Sequence, residues 1–425
     1  MRERQDHARP GCAVRHAALR KHGLRAGFLF VNFFLIVMAL YQLKPASRSL
    51  FIDTLGADML PWVWIGTAAA MTAVISFYNG LVERVSRLRI VLGSCLACMV
   101  LLALFRLVLG RPGPLGAATF YIFVDILGVV LTEQFWSLTN SVHTLEEGKS
   151  WYGLIGTGGL LGGLISGVFG GWLVSQTGMV TADLLMVAAA IVGAIFGLTW
   201  LMGRLGLYCE AEAAVREQVA AGSPWAILRN RYLALIAALL LLGQLASLFV
   251  EFQFMKTLEL TIAGRDERTA YMSVFFSIMS LVAIGVNLTL TPLVVRLKGV
   301  LAGLLVQPVV MGVCALLYMA HPTLLFGSLA KISDRGLSYS INRASRELLY
   351  VPVDPVVIYQ AKAWIDMFGY RLFEVLGSLL ILAVTQWASS PMRLSGISAF
   401  TLAACGAWIA IVLLMRQEYS DVVME

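Results

Sequence analysis

Charge is scarce in this sequence: lysine, arginine, aspartate and glutamate make up 13% of its 425 residues, against 59% hydrophobic residues. That balance excludes the soluble globular and disordered classes, which need far more polar surface. Cysteine is also sparse. The six (Cys12, Cys95, Cys98, Cys209, Cys314, Cys405) are scattered, so they imply no disulfide framework. Cys95 and Cys98 form a CxxC, but it sits in an apolar run with no second pair, and reads as packing rather than as a metal site. No HExxH, no GxSxG and no histidine pair inside an apolar run occurs, so nothing points to an enzyme. No metal and no cofactor is expected. Residues 153–171, GLIGTGGLLGGLISGVFGG, are rich in glycine, yet no GK[ST] follows and no strand precedes, which excludes a phosphate loop. Gly159, Gly163, Gly167 and Gly171 recur every fourth residue instead, a spacing that lets another helix come close.

What the chain has in abundance is apolar runs, with a mean hydropathy of +0.80. About twelve reach the roughly 20-residue length that spans a bilayer. They cover 27–45, 60–80, 90–109, 116–140, 152–175, 182–203, 232–255, 271–292, 299–319, 322–342, 367–387 and 395–415. The fold class is therefore an all-α integral membrane protein. The longest connection, 204–231, follows the sixth span. The expected organisation is a basic tail (1–25), a six-helix bundle (26–203), a linker (204–231), a second six-helix bundle (232–416) and a short tail (417–425). Two six-helix bundles joined by a long link are the layout of major-facilitator-type transporters. With twelve alternating helices, the basic groups around Arg20, Arg84 to Arg89, Arg204 to Arg231, Arg296 and Arg416 share one side, which places both termini in the cytoplasm. The net charge of +7 belongs mostly to these loops, and the N-terminal tail suits anionic lipid headgroups better than nucleic acid.

Charges inside the spans carry the most information. In HPTLLFGSLAKISDRGLSYSINRASR (321–346), Lys331, Asp334, Arg335, Ser338, Asn342 and Arg346 fall at steps of three or four, on one helical stripe. An ionisable group at bilayer depth costs about 2.5–3.5 kcal/mol on insertion scales, so such groups face water or a partner. A cation-rich stripe at that depth points to an anionic cargo. In the first span, YQLKPASR aligns Tyr41, Lys44 and Arg48, and Pro45 is expected to end or kink the helix. These cations either hold an anion or snorkel from a helix end. The fourth span puts Tyr121, Asp125, Thr132 and Trp136 on one face with Glu133 beside it. Asp125 lies deep enough to need a cation or a proton, and Trp136 can stack on a flat ring or belong to an aromatic belt. Gln244, Ser247 and Glu251 align in the seventh span, and Lys362, Asp366, Tyr370 and Glu374, with Arg371 adjacent, at the eleventh. Those last pairs are either intrahelical salt bridges or charges that change partners when cargo binds.

Three segments resemble the non-mitochondrial ATP/ADP translocase family, the nucleotide exchangers of plastids and intracellular bacteria, and its bacterial relatives. RELLYVPVDPVVIYQAKAWIDMFGYRL (346–372) matches through Arg346, Glu347, Tyr350, Pro352, Asp354, Lys362, Asp366, Gly369 and Arg371. FWSLTNSVHTLEEGKSWYGLIGTGG matches through Phe135, Trp136, Asn140, Lys149, Tyr152 and Gly153, and YQLKPASR through Lys44 and Arg48. Two features depart from the family: Arg346 stands where the exchangers usually carry lysine, and FEVLGS replaces a glycine-rich stretch after Gly369. The resemblance implies a bacterial inner-membrane transporter, working as a monomer, that exchanges a phosphorylated anion, adenine nucleotides foremost. Lys44, Arg48, Lys331, Arg335, Arg346 and Arg371 would then hold phosphates, with Asn342 beside them and Tyr121 and Trp136 as cavity contacts. Asp125, Glu133, Glu251, Asp334, Asp366 and Glu374 would neutralise those cations in the empty carrier. On this reading neutralising Lys331 abolishes transport and leaves folding intact. Two alternatives stay open: a proton-coupled facilitator with Asp125 or Glu251 as proton carrier, and a membrane scaffold that transports nothing.

Overall fold

A computed structural model describes residues 12–82, 84–109, 113–143, 145–208, 230–350, 365, 369–387 and 390–424. The described residues are helical almost throughout. The first half holds α1 (Cys12–Leu55), a 3-10 turn at Ala57–Met59, α2 (Leu60–Val82), α3 (Arg87–Val108), α4 (Pro114–Val142), α5 (Leu145–Gln176) and α6 (Leu184–Arg204). The second holds α7 (Arg231–Thr261), α8 (Arg265–Leu288), α9 (Leu290–Lys298), α10 (Val300–Ala320) and α11 (Leu324–Leu337). A π-helical turn at Ser338–Asn342 leads into α12 (Arg343–Tyr350), followed by α13 (Tyr370–Trp387) and α14 (Ser390–Met424). Among the described residues ten helical segments are long and apolar enough to cross a membrane, α8 and α9 together making one of them. The regions expected at 322–342 and 367–387 are helical from Leu324 and from Tyr370, but they carry buried charges and fall outside that set.

In hydrocarbon every backbone group needs a partner within the protein, and this makes helices the default. It also explains α1. Pro45 does not end the helix, which runs on to Leu55. Arg48 is consequently a helix-interior residue with 8% of its surface exposed, and not a snorkelling terminal one. Helical structure extends into both expected tails. Helix α1 already begins at Cys12, Arg25 is buried and donates to the carbonyls of Val142 and Leu207, and α14 continues past 416 to Met424. Pro10 lies just before α1, and neither extension contains a proline or a run of glycines to stop it. Most of the expected linker, 209–229, lies outside the described residues.

Each half has its own apolar core, one around Leu43, Phe120, Phe135 and Ile195, the other around Ile236, Met311, Trp408 and Met415. A third core joins them, with Phe51, Trp64 and Tyr121 from the first half meeting Phe249, Phe252 and Met279 from the second. The halves touch along α5 with α8, α2 with α13 and α1 with α8. The glycine repeat of α5 serves this packing and the packing onto α1 within the first half. A Cβ on Gly159 would strike the Phe33 ring of α1, one on Gly163 would meet Ser280 of α8 and Tyr41 of α1, and one on Gly171 would meet Val274 of α8. Large apolar side chains such as Phe77, Leu107 and Leu115 stay exposed, as a lipid-facing surface requires.

Candidate functional site

Two charge clusters meet where the halves join. In the first half, Arg48 Nη2 lies 2.6 Å from Asp125 Oδ1, so α1 and α4 are pinned together at mid-helix. The guanidinium also rests 4.6 Å over the ring of Tyr121, and Tyr121 is fixed in turn by Trp64, whose Nε1 donates to its hydroxyl at 2.9 Å. A cation desolvated against an aromatic face gains up to about 2 kcal/mol. Lys44, one turn earlier, has its ammonium 6.0 Å from the Tyr41 ring, with no carboxylate within ion-pair distance among the described residues.

In the second half the stripe of α11 turns inward. Lys331, 2% exposed, binds Glu251 of α7 at 2.5 Å and Asp334 at 2.9 Å. Asp334, 1% exposed, accepts a further bond from Ser247 Oγ at 2.8 Å, and Gln307 Nε2 of α10 donates to its backbone carbonyl at 3.1 Å. Three helices therefore converge on Asp334, which α7, α10 and its own helix α11 all contact. Arg335 approaches Asp334 at 3.6 Å, and Arg371 of α13 pairs with Glu374 at 2.8 Å.

Beside this cluster the second half forms a half-open cavity of about 280 Å³. Arg335, Arg346 and Arg371 line it with Asp334, Ser338 and Asn342, and the π-helical turn supplies the last two. Wide turns of this kind often mark functional sites, because they displace side chains from the regular helical register. The polar contact described for Arg346 is a long one, 3.4 Å to the Tyr370 hydroxyl. The carbonyl oxygens of Gln307 and Asn342, the indole Nε1 of Trp408 and Nε of Arg371 are buried without a hydrogen-bond partner among the described residues. All four side chains belong to residues that line the cavity. Its surface offers more donors and acceptors than the protein itself uses.

The structure thus brings together nearly all of the expected charged residues, in two groups. Lys44, Arg48, Tyr121 and Asp125 form the first. Glu251, Lys331, Asp334, Arg335, Asn342, Arg346, Arg371 and Glu374 form the second. The groups sense each other across the junction: Arg48 lies within Coulombic reach of Glu251, and Lys44 within reach of Arg335. Trp136 is placed elsewhere, packed edge-on among Phe33, Phe135 and Tyr152 in the first-half core. Glu133 is exposed on α4, within Coulombic reach of Tyr78. Lys362 and Asp366 lie outside the described residues. Residues missed from sequence include Gln307, Trp64 and Trp408. A lone glutamine in the apolar run LLVQPVV was a usable signal for the first, whereas nothing in the sequence distinguished the two tryptophans from membrane-interface residues.

Comparison with known proteins bears on the family and the fold. The family model described as TLC ATP/ADP transporter matches residues 116–324 and 320–419. The ADP,ATP carrier protein 1 of Chlamydia muridarum is 27% identical over 306 residues, covering 62% of this chain and 57% of that protein. The ADP,ATP carrier protein 4 of Rickettsia conorii is 23% identical over 351 residues, covering 71% and 68%. This chain thus spans little more than half the length of the chlamydial relative. Among solved structures, the POT family transporter PepTSo superposes with a TM-score of 0.68 at 10% identity, covering 93% of this chain and 98% of that one. The nucleoside transporter NupG superposes with a TM-score of 0.61 at 14% identity, covering 92% and 98%. At such identities the likeness establishes a major-facilitator-like fold. With ten candidate spans among the described residues and a family match over most of its length, the chain is a multi-pass membrane protein that belongs to the TLC ATP/ADP transporter family.

Proposed function

We propose that this protein exchanges a phosphorylated anion across the bacterial inner membrane by alternating access, with adenine nucleotides as the first candidates and both termini in the cytoplasm. One observation carries the reading. Six cations (Lys44, Arg48, Lys331, Arg335, Arg346, Arg371) gather with four carboxylates (Asp125, Glu251, Asp334, Glu374) in the two charge clusters, and three of the guanidiniums line a half-open cavity. Guanidinium groups match phosphate oxygens in geometry and charge, and do so best away from bulk water. The relatives named ADP,ATP carriers support the nucleotide as cargo.

Cargo phosphates would compete with the internal carboxylates for the same cations, and that exchange of partners would loosen the ties between helices as the carrier turns over. Arg48, Lys331 and Arg371 are engaged in ion pairs. Lys44 and Arg346 have no ion pair among the described residues, which leaves their charge to the cargo. Asp125 and Glu251 each hold a cation at close range, which weighs against either serving as a free proton carrier.

Uptake of labelled ATP into liposomes holding the purified protein, with and without ADP inside, tests the reading. Uptake that depends on internal ADP is the expected result. Uptake of other anions alone, or uptake driven by a pH gradient, would overturn the nucleotide assignment. In the same assay Arg346→Gln is expected to raise the KM by about tenfold or more, the worth of one charge-assisted hydrogen bond. Its melting temperature should stay unchanged, since Arg346 carries no described ion pair. A KM equal to that of the parent protein would remove Arg346 from the site.

A further inference from the structure

A second set of charges closes one end of the junction, away from the cavity. It lies where α1 turns into α2 and α7 turns into α8. Lys256 of α7 binds Asp58 of the 3-10 turn at 2.9 Å and Glu259 at 2.7 Å. Gly56 makes the turn with φ of 78°, and a Cβ there would come within 3.0 Å of Glu259 Oε1. Thr181, from the α5–α6 connection, donates both its N–H and its hydroxyl to Asp266 Oδ1. Each of these ties except Lys256–Glu259 joins the first half to the second.

Two arginines in this cluster are poorly served. Arg265 Nη1 stands 3.9 Å and Arg268 Nη1 3.7 Å from the Asp53 carboxylate, and Arg265 Nε stands 3.7 Å from Asp266. These separations give Coulombic attraction without a hydrogen bond. Arg265 Nε and Arg268 Nη1 are indeed buried with no hydrogen-bond partner among the described residues, although Arg268 is only 6% exposed. The remaining nitrogens of Arg268 are held by the carbonyls of Ile262 and Ala263, which aim its free Nη1 at Asp53. Buried charged donors without acceptors are costly to leave in that condition. The acids nearby are already engaged, Glu259 with Lys256 and Asp266 with Thr181.

We propose that Arg265 and Arg268 form a second anion site, a mouth site that receives phosphoryl groups when the halves part and Asp53 withdraws. This extends the reading of the cargo as a phosphorylated anion and rests on it. A phosphoryl group has three oxygens and satisfies donors that a single distant carboxylate leaves unmet. Its binding favours the state in which Asp53 has moved away, so an anion arriving at this end helps to open it. The positive-inside arrangement puts this end on the non-cytoplasmic face.

Labelling of Ala57→Cys tests the site without requiring transport. Ala57 is fully buried beside the cluster, so a membrane-impermeant maleimide reaches a thiol there only when the mouth opens. In right-side-out vesicles, inorganic pyrophosphate added outside is expected to speed labelling by about threefold or more. Arg265→Gln in the Ala57→Cys background is expected to abolish that response, and so is Arg268→Gln. Asp53→Asn alone should raise labelling without pyrophosphate. A pyrophosphate response that survives both arginine substitutions would place its origin at the central cluster and overturn the mouth site, as would no response in the Ala57→Cys protein. A response lost with Arg265→Gln in a protein that takes up no ATP would keep the mouth site and discard the nucleotide reading.

Discussion

Replacing Lys331 by methionine is expected to destabilise the protein by about 3–5 kcal/mol, because it strands two carboxylates in the interior. Lys331 is the common partner of Glu251 at 2.5 Å and Asp334 at 2.9 Å, and Asp334 is 1% exposed. The structure therefore revises the expectation that a neutral residue here silences transport and leaves folding intact: the loss is expected in both. Thermal unfolding of the purified protein in detergent measures it, and an unchanged melting temperature would show that the lysine is not the keystone of the cluster. A combined Lys331→Met and Glu251→Gln variant should recover part of the loss, since a neutral partner no longer leaves two uncompensated charges. Arg48 and Asp125 form a simpler pair, with one cation and one acid, and the same reasoning predicts a smaller loss for Asp125→Asn.

The contrast between Lys331 and Arg346 shows what a sequence can convey about such a site. The spacing of Lys331, Asp334, Arg335, Ser338, Asn342 and Arg346 was legible because helical period is a local property, and five of the six line one cavity. What the spacing could not convey is which cations are already engaged. Glu251 lies 80 residues before Lys331 and Ser247 lies 87 before Asp334, and such pairings depend on how whole helices pack. The fold was legible for a similar reason: apolar length and basic loops are written in the chain itself. Pro45 misled because its local rule, that proline stops a helix in water, yields in a bilayer to the stronger demand for backbone hydrogen bonds. The mouth cluster was invisible at this level. Asp53 and Arg268 stand more than two hundred positions apart, and each alone resembles an ordinary loop charge.

Gly167→Ala is expected to reduce transport by about tenfold or more while the protein still reaches the membrane. A Cβ at this position would lie 2.1 Å from the Ser273 carbonyl oxygen and 2.2 Å from Ser277 Oγ, and the first of these is backbone that cannot rotate away. Ser277 Oγ donates to the Leu164 carbonyl at 2.6 Å across the same seam, so α5 and α8 must separate and stretch that bond to admit one methyl group. Overpacking of this kind costs about 1–3 kcal/mol. In a carrier that works by moving its halves, that cost falls on the state in which the seam is closed, and not on the state in which it has opened. Imposed on one state only, 1–3 kcal/mol displaces the equilibrium by about 5–150-fold, and a cycle that must visit both states slows accordingly. Gly156→Ala on the same helix supplies the control, because a Cβ there meets nothing within 4 Å. Equal uptake by the two variants would show that the α5–α8 seam does not move during transport. A slow Gly167→Ala beside a normal Gly156→Ala would identify the seam as the surface on which the halves rock.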